Sequence, residues 1–152
     1  MSRIETEIAV IGGGIAGCST ALHVAVRGVP VVLLEKRQVG ATASGVNFGG
    51  VRRNGRAVEE LDLAARAIAI WHRLSELVGN DCEYAATGHL KVARNEEDME
   101  AMAAHAEAQA AYGLKVEMIS RNALIARYPW LGEAAYGAAW CDTDGQANPR
   151  LL

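Results

Sequence analysis

Residues Glu7 to Lys36 read EIAVIGGGIAGCSTALHVAVRGVPVVLLEK. An apolar run, Ile8 to Ile11, meets a glycine cluster in which Gly12, Gly14 and Gly17 fit G-x-G-x-x-G. A helical pattern continues to Arg27 and stops at Gly28. A second apolar run, Val31 to Leu34, ends at Glu35. The order strand, glycine turn, helix, strand, acid is that of a dinucleotide-binding βαβ unit. Gly12 allows a tight strand-to-helix turn, Gly14 lets a pyrophosphate approach the backbone, and Gly17 lets the helix pack closely on the strand. The helix N-terminus then offers free N–H groups and a positive dipole end to the phosphates. Glu35 lies 18 residues after Gly17, where an acid accepts hydrogen bonds from ribose hydroxyls. The fingerprint indicates an adenine dinucleotide and leaves FAD and NAD both open.

Composition bounds what surrounds this unit. The chain has 152 residues, is 51% hydrophobic and carries a net charge of −3. That is enough apolar material for a core. It does not describe a disordered chain, nor a nucleic-acid-binding surface. No signal peptide is visible before the first strand, and the run Ile8 to Ala16 is too short to span a membrane. Cys18, Cys82 and Cys141 form no CxxC pair or metal-ligand spacing, so free thiols in a reducing cytoplasm are expected.

Lys36 to Gly55 is dense in glycine and small polar residues and reads as a loop, with a short helix expected around 42–46. Ala57 to Val78 reads as one long helix, because Leu61, Ala64, Ile68, Trp71, Leu74 and Val78 recur on one face. Short strands are expected at 84–86 and 89–93 around a turn at Thr87-Gly88. Asn95 is an N-cap with Asp98 at the capping-box position, starting a helix that runs to about Tyr112. A strand at 115–119, a short helix capped by Ser120 and a strand at 136–141 follow. Pro149 suits the first turn of a further helix. The expected fold class is α/β: a Rossmann-like βαβ start with an inserted, incomplete α+β segment. The expected division is 1–82, 83–141 and 142–152, the last segment returning toward the first.

Four blocks together resemble the FAD-dependent oxidoreductases of the D-amino acid oxidase type, which include glycine oxidase, sarcosine oxidase β-subunits and D-amino acid dehydrogenases. They are GGGIAG with Glu35, GATASGVNFGGVRR (Gly40 to Arg53), TGHLKVA (Thr87 to Ala93) and DTDGQANPRLL (Asp142 to Leu152). The resemblance implies FAD as cofactor. It implies pyrophosphate contacts around Gly12, Gly14, Ile15, Ala16 and Gly17, ribose held by Glu35, and Lys36 beside the adenine. Thr42, Ala43 and Ser44 would lie near the phosphates and ribityl chain, with Asn47, Phe48 and Gly49 near the isoalloxazine ring. Members are considerably longer, so this stretch corresponds to their N-terminal portion, and a C-terminal half or self-association would have to complete the site.

The implied chemistry is oxidation of the CH–NH bond of an amino acid or secondary amine by hydride transfer to flavin. In such enzymes an arginine often forks onto the substrate carboxylate. Arg52 and Arg53, with Arg56, are candidates. The alternative for all three is solvation or ion pairing with Glu59 and Glu60. His72 and Glu76 share a helix face without a third ligand, so no metal site is assigned. No catalytic residue is assigned. The alternatives are a non-catalytic remnant with weak nucleotide binding and an NAD-dependent dehydrogenase domain. The segment Gly40 to Arg53 disfavours the latter.

Overall fold

The computed structural model describes residues 3–152. Contact density divides them into two compact units, residues 3–49 with Asn148–Leu152, and Gly50–Ala147.

The first unit is the βαβ start. Strands β1 (Ile8–Ile11) and β2 (Val31–Leu34) run parallel, in register from Ile8 opposite Val31 to Ile11 opposite Leu34. Helix α1 (Ile15–Ala25) makes the crossover, as the apolar–glycine–apolar pattern requires. Gly12 takes φ +101°, a conformation that side chains disfavour. A Cβ on Gly17 would run into the Gly12 carbonyl oxygen, so this glycine sets how closely α1 lies on β1. No residue of α1 is buried, and Ile11 and Leu34 are exposed at 86% and 52%. The apolar faces of this sheet are therefore largely open within the unit.

The loop after β2 contains turns where a short helix is expected at 42–46. The reason lies in Asn47. Its Nδ2 donates to the carbonyls of Ala43 and Ser44, at 3.3 and 2.7 Å, occupying acceptors that a helix would need. Pro149 also stands in a turn, in which Leu151 N–H donates to Asn148 O (3.1 Å).

The second unit is built on an antiparallel three-stranded sheet, ordered β4–β6–β5, from β4 (His89–Ala93), β5 (Glu117–Ser120) and β6 (Gly137–Cys141). One face packs Ile119 and Ala138 against Leu124, with Leu90, Val92, Tyr128 and Trp140 around them. The other packs Ala93 and Ala139 against Met102. Leu124 belongs to α5 (Arg121–Arg127) and Met102 to α4 (Glu96–Ala110). A two-stranded ribbon pairs β3 (Gly50–Val51) with β7 (Gly145–Gln146).

Local chemistry accounts for α4. The Asn95 side chain accepts from Asp98 N–H at 2.8 Å, as an N-cap should. Asp98 reaches one residue further back than a capping box, accepting from Arg94 N–H at 3.0 Å. Ser120 occupies the N-cap position of α5 without a side-chain hydrogen bond.

The single helix expected over 57–78 is three pieces: a 3-10 turn (Val58–Glu60), α2 (Leu61–Trp71) and α3 (Leu74–Val78). The break sits at Arg73, with φ −119° and ψ 16°. At about 100° per residue, Ile68 and Leu74 would point some 120° apart on one continuous helix. With the break, both are buried. Tertiary burial thus overrides a local pattern that contains no breaker residue. The strand expected at 84–86 is reduced to one bridge, Ala85 with Gln146.

Candidate functional site

The β1–α1 turn is organised by two side chains from distant sequence. Gly14 is the N-cap of α1 and has no side chain to offer. The Ser44 hydroxyl takes over, accepting from Ile15 N–H at 2.9 Å across 29 residues. Glu35, at the end of β2, accepts from Gly13 N–H through Oε2 (2.7 Å) and from Arg37 N–H through Oε1 (2.8 Å). These backbone donors, Gly13 first and then Arg37, hold the Glu35 carboxyl below the ordinary carboxylate range. Each oxygen retains acceptor capacity. Gly40 N–H donates to Gly13 O (2.9 Å), closing the loop over the turn.

A cavity of about 270 Å³ opens here, lined by Gly13, Gly14, Glu35, Lys36 and Thr42 among others. The N–H groups of Gly14, Ala16 and Gly17 have no acceptor among the described residues. An unpaired trio of donors at a helix N-terminus suits an anion. Ala43 is exposed, and its carbonyl is held by Asn47. Asn47 Oδ1 also accepts from Gly49 N–H at 2.8 Å, so this side chain stitches its own loop. Phe48 is fully solvent-exposed at 105%.

The arginines lie in the second unit, and the structure separates them. Arg52 and Arg56 line a cavity of about 400 Å³ with Glu60, Leu63, Ile68 and Trp71. Arg52 Nη1 donates to Asn54 O (2.6 Å), and Arg56 Nε donates to Arg52 O (2.7 Å). Arg56 pairs with Glu60 at 3.2 Å, one of the two carboxylates named as alternative partners. Arg53 does not line this cavity. It donates through Nη2 to Thr143 Oγ1 (3.2 Å), and its Nε is buried without a partner.

Three features had no usable signal in the sequence. Ser44 as a surrogate cap is one. The second is Asp144, fully buried, which accepts from Arg53 and Asn54 N–H at 2.8 Å each across 91 and 90 residues. The third is His89, whose Nδ1 is buried without a partner. Burial, and then the charge of Arg52, lower its pKa from the usual histidine value.

Residues 7–152 match the FAD dependent oxidoreductase family (DAO). The chain belongs to this family. It is similar to gamma-glutamylputrescine oxidoreductase of Escherichia coli, 31% identical over 80% of this chain and 32% of that one. Among solved structures it resembles glycine oxidase from Bacillus cereus, with a TM-score of 0.85 and 28% identity over 97% of this chain and 41% of that one. It also resembles L-proline dehydrogenase from P. horikoshii, with a TM-score of 0.85 and 28% identity over 97% and 39%. The chain thus spans less than half the length of these relatives. The family assignment decides between the two dinucleotides left open by the glycine fingerprint: the family's cofactor is FAD, and the NAD-dependent alternative falls. No helix among the described residues is long and apolar enough to cross a membrane.

Proposed function

We propose that this chain supplies the adenosine-diphosphate-binding unit and the first part of the substrate region of an FAD-dependent oxidoreductase that acts on the CH–NH bond of an amino acid or secondary amine. The observation that carries this is the β1–α1 turn with its anion-ready donors beside a carboxylate. The residues present fit the diphosphate and ribose of FAD. The N–H groups of Gly14, Ala16 and Gly17 are free for phosphate oxygens, with Gly12 and Ile15 shaping the same turn. Glu35 keeps acceptor capacity for ribose hydroxyls, and Lys36 and Thr42 line the same cavity. Ala43 and Ser44 are assigned to the phosphates and ribityl chain, and Asn47, Phe48 and Gly49 to the ring end. FAD, when bound, supplies the hydride acceptor.

What these residues do is bind and orient. Arg52 offers Nε and Nη2, which have no partner among the described residues, to a substrate carboxylate. Leu63, Ile68 and Trp71 give the same cavity an apolar wall. Arg53 is the weaker candidate, since its guanidinium is turned to Thr143.

In the whole protein we assign residues 1–82 to the FAD-binding domain, 83–141 to the start of the substrate region and 142–152 to the return. The exposed apolar residues of the βαβ unit, Ile11 and Leu34 foremost, favour cover by a C-terminal half or by self-association. The thiols Cys18, Cys82 and Cys141, the last two buried, support a cytoplasmic location. The test is titration with FAD and, separately, ADP. Comparable binding of both, abolished by Gly14→Val, supports the assignment. Absence of binding to either overturns it and leaves the remnant reading.

A further inference from the structure

We propose that Asp144 is a positioning residue for the anion-binding face of the Arg52–Arg56 cavity, holding Arg52 through the backbone of Asn54. This rests on the reading of Arg52 as a carboxylate donor and extends it to a residue outside the cavity.

The geometry forms a short chain of contacts. Asp144 Oδ2 accepts from Asn54 N–H, and Asn54 O in turn accepts from Arg52 Nη1. Asp144 Oδ1 accepts from Arg53 N–H, fixing the Arg52–Arg53 peptide. Arg56 is tied into the same segment because its Nε donates to Arg52 O. Its own carbonyl is held by Gln109 Nε2 (3.4 Å) and faces His105 Nε2 (2.9 Å). Asn54 is itself buried, and its Nδ2 donates to Ala139 O on β6 (3.2 Å). Asp144 is anchored at the other end: its carbonyl accepts from Gly88 N–H at 2.7 Å, and the next residue begins β7, which pairs with β3.

Asp144 is wholly buried and has no ion-pair partner among the described residues. Burying a carboxylate is costly unless donors satisfy it. Here the donors are two consecutive backbone N–H groups of an irregular segment, and each bond is 2.8 Å. Apolar packing would hold such a segment in place but would not set its peptide planes. Two bonds from one rigid carboxylate set the 52–53 and 53–54 planes: the first carries the Arg52 carbonyl that holds Arg56, and the second fixes the backbone entering Asn54, whose carbonyl grips Arg52. Arginine loses little entropy on meeting a planar carboxylate when its fork is already held.

The test uses the whole chain, with phenylacetate as probe and phenylacetamide as its uncharged match. Binding is followed by NMR at the Trp71 indole and the Arg52 Nε–H. Asp144→Asn keeps the shape but turns an amide N–H toward one of the two donors. The expected result is roughly tenfold weaker phenylacetate binding, with phenylacetamide unchanged and faster exchange of the Arg53 and Asn54 amides. Equal loss of both probes would mean a general structural role and overturn the proposal. Unchanged phenylacetate binding would overturn it and leave the Arg52 reading standing. No phenylacetate binding to the unaltered chain would remove both. Should the variant fail to fold, 15N relaxation in the unaltered chain still decides: Arg52 Nε must be ordered like the backbone, and an Arg52 as mobile as exposed Arg66 refutes the proposal.

Discussion

Gly17→Ala tests the βαβ turn most sharply, because helix propensity and tertiary packing make opposite demands on this residue. Position 17 lies in the first turn of α1. Alanine there should favour the helix by about 1 kcal/mol over glycine. The added Cβ, however, would run into the Gly12 carbonyl oxygen and stand 3.1 Å from the Gly12 carbonyl carbon. Both are backbone atoms of a turn that Gly12 already holds at φ +101°, so neither can swing aside as a side chain end would. Overpacking against such a wall lies at the upper end of its range, about 3 kcal/mol. The difference is a net loss of about 2 kcal/mol, or roughly 30-fold in the opening equilibrium. Amide hydrogen exchange in β1 and β2 measures this directly. Protection of Val10 and Leu33 should fall by about that factor, and FAD affinity should fall with it because the Gly14, Ala16 and Gly17 donors move. Wild-type protection and affinity in Gly17→Ala would show that the close approach of α1 to Gly12 is not what shapes the turn.

Other outcomes follow from the same geometry. Glu35→Ala should weaken FAD binding about tenfold, by loss of a charge-assisted acceptor; an unchanged titration would remove Glu35 from the site. Acid should weaken the fold in two stages. His89 has a folded pKa below its usual 6.5, so the stability it contributes is complete above pH 6.5 and declines as pH falls through the depressed value. Glu35 and Asp98 have folded pKa values below 4.5 and 3.8, so their contribution is complete above those values and is lost only at lower pH. In urea midpoints against pH, His89→Gln should remove the upper stage alone; an unaltered profile would refute the assignment. Residues 1–152 alone should show no amine oxidation with glycine, sarcosine, proline or D-amino acids. Dye reduction or peroxide above a free-FAD control would show that the chain completes its own pocket.

The elements legible in the sequence are those whose causes are local. The glycine spacing, the two apolar runs and Glu35 specify β1, α1 and β2 because turn sterics and strand-to-helix geometry act within a few residues. Asn95 marks the start of α4 because its cap bond spans three residues. Where causes are remote, the sequence offers no sign. The helix breaks at Arg73, with Ile68 buried before the break and Leu74 buried after it, and no residue near it announces the break. Ser44 caps α1 from 29 residues away, and Asp144 clasps Arg53 and Asn54 from 91 and 90 residues away. The closely spaced arginines Arg52, Arg53 and Arg56 are equivalent as sequence. Tertiary structure alone decides that Arg52 and Arg56 line a cavity while Arg53 turns to Thr143, because that choice depends on which carbonyls and hydroxyls the fold leaves within reach of each guanidinium.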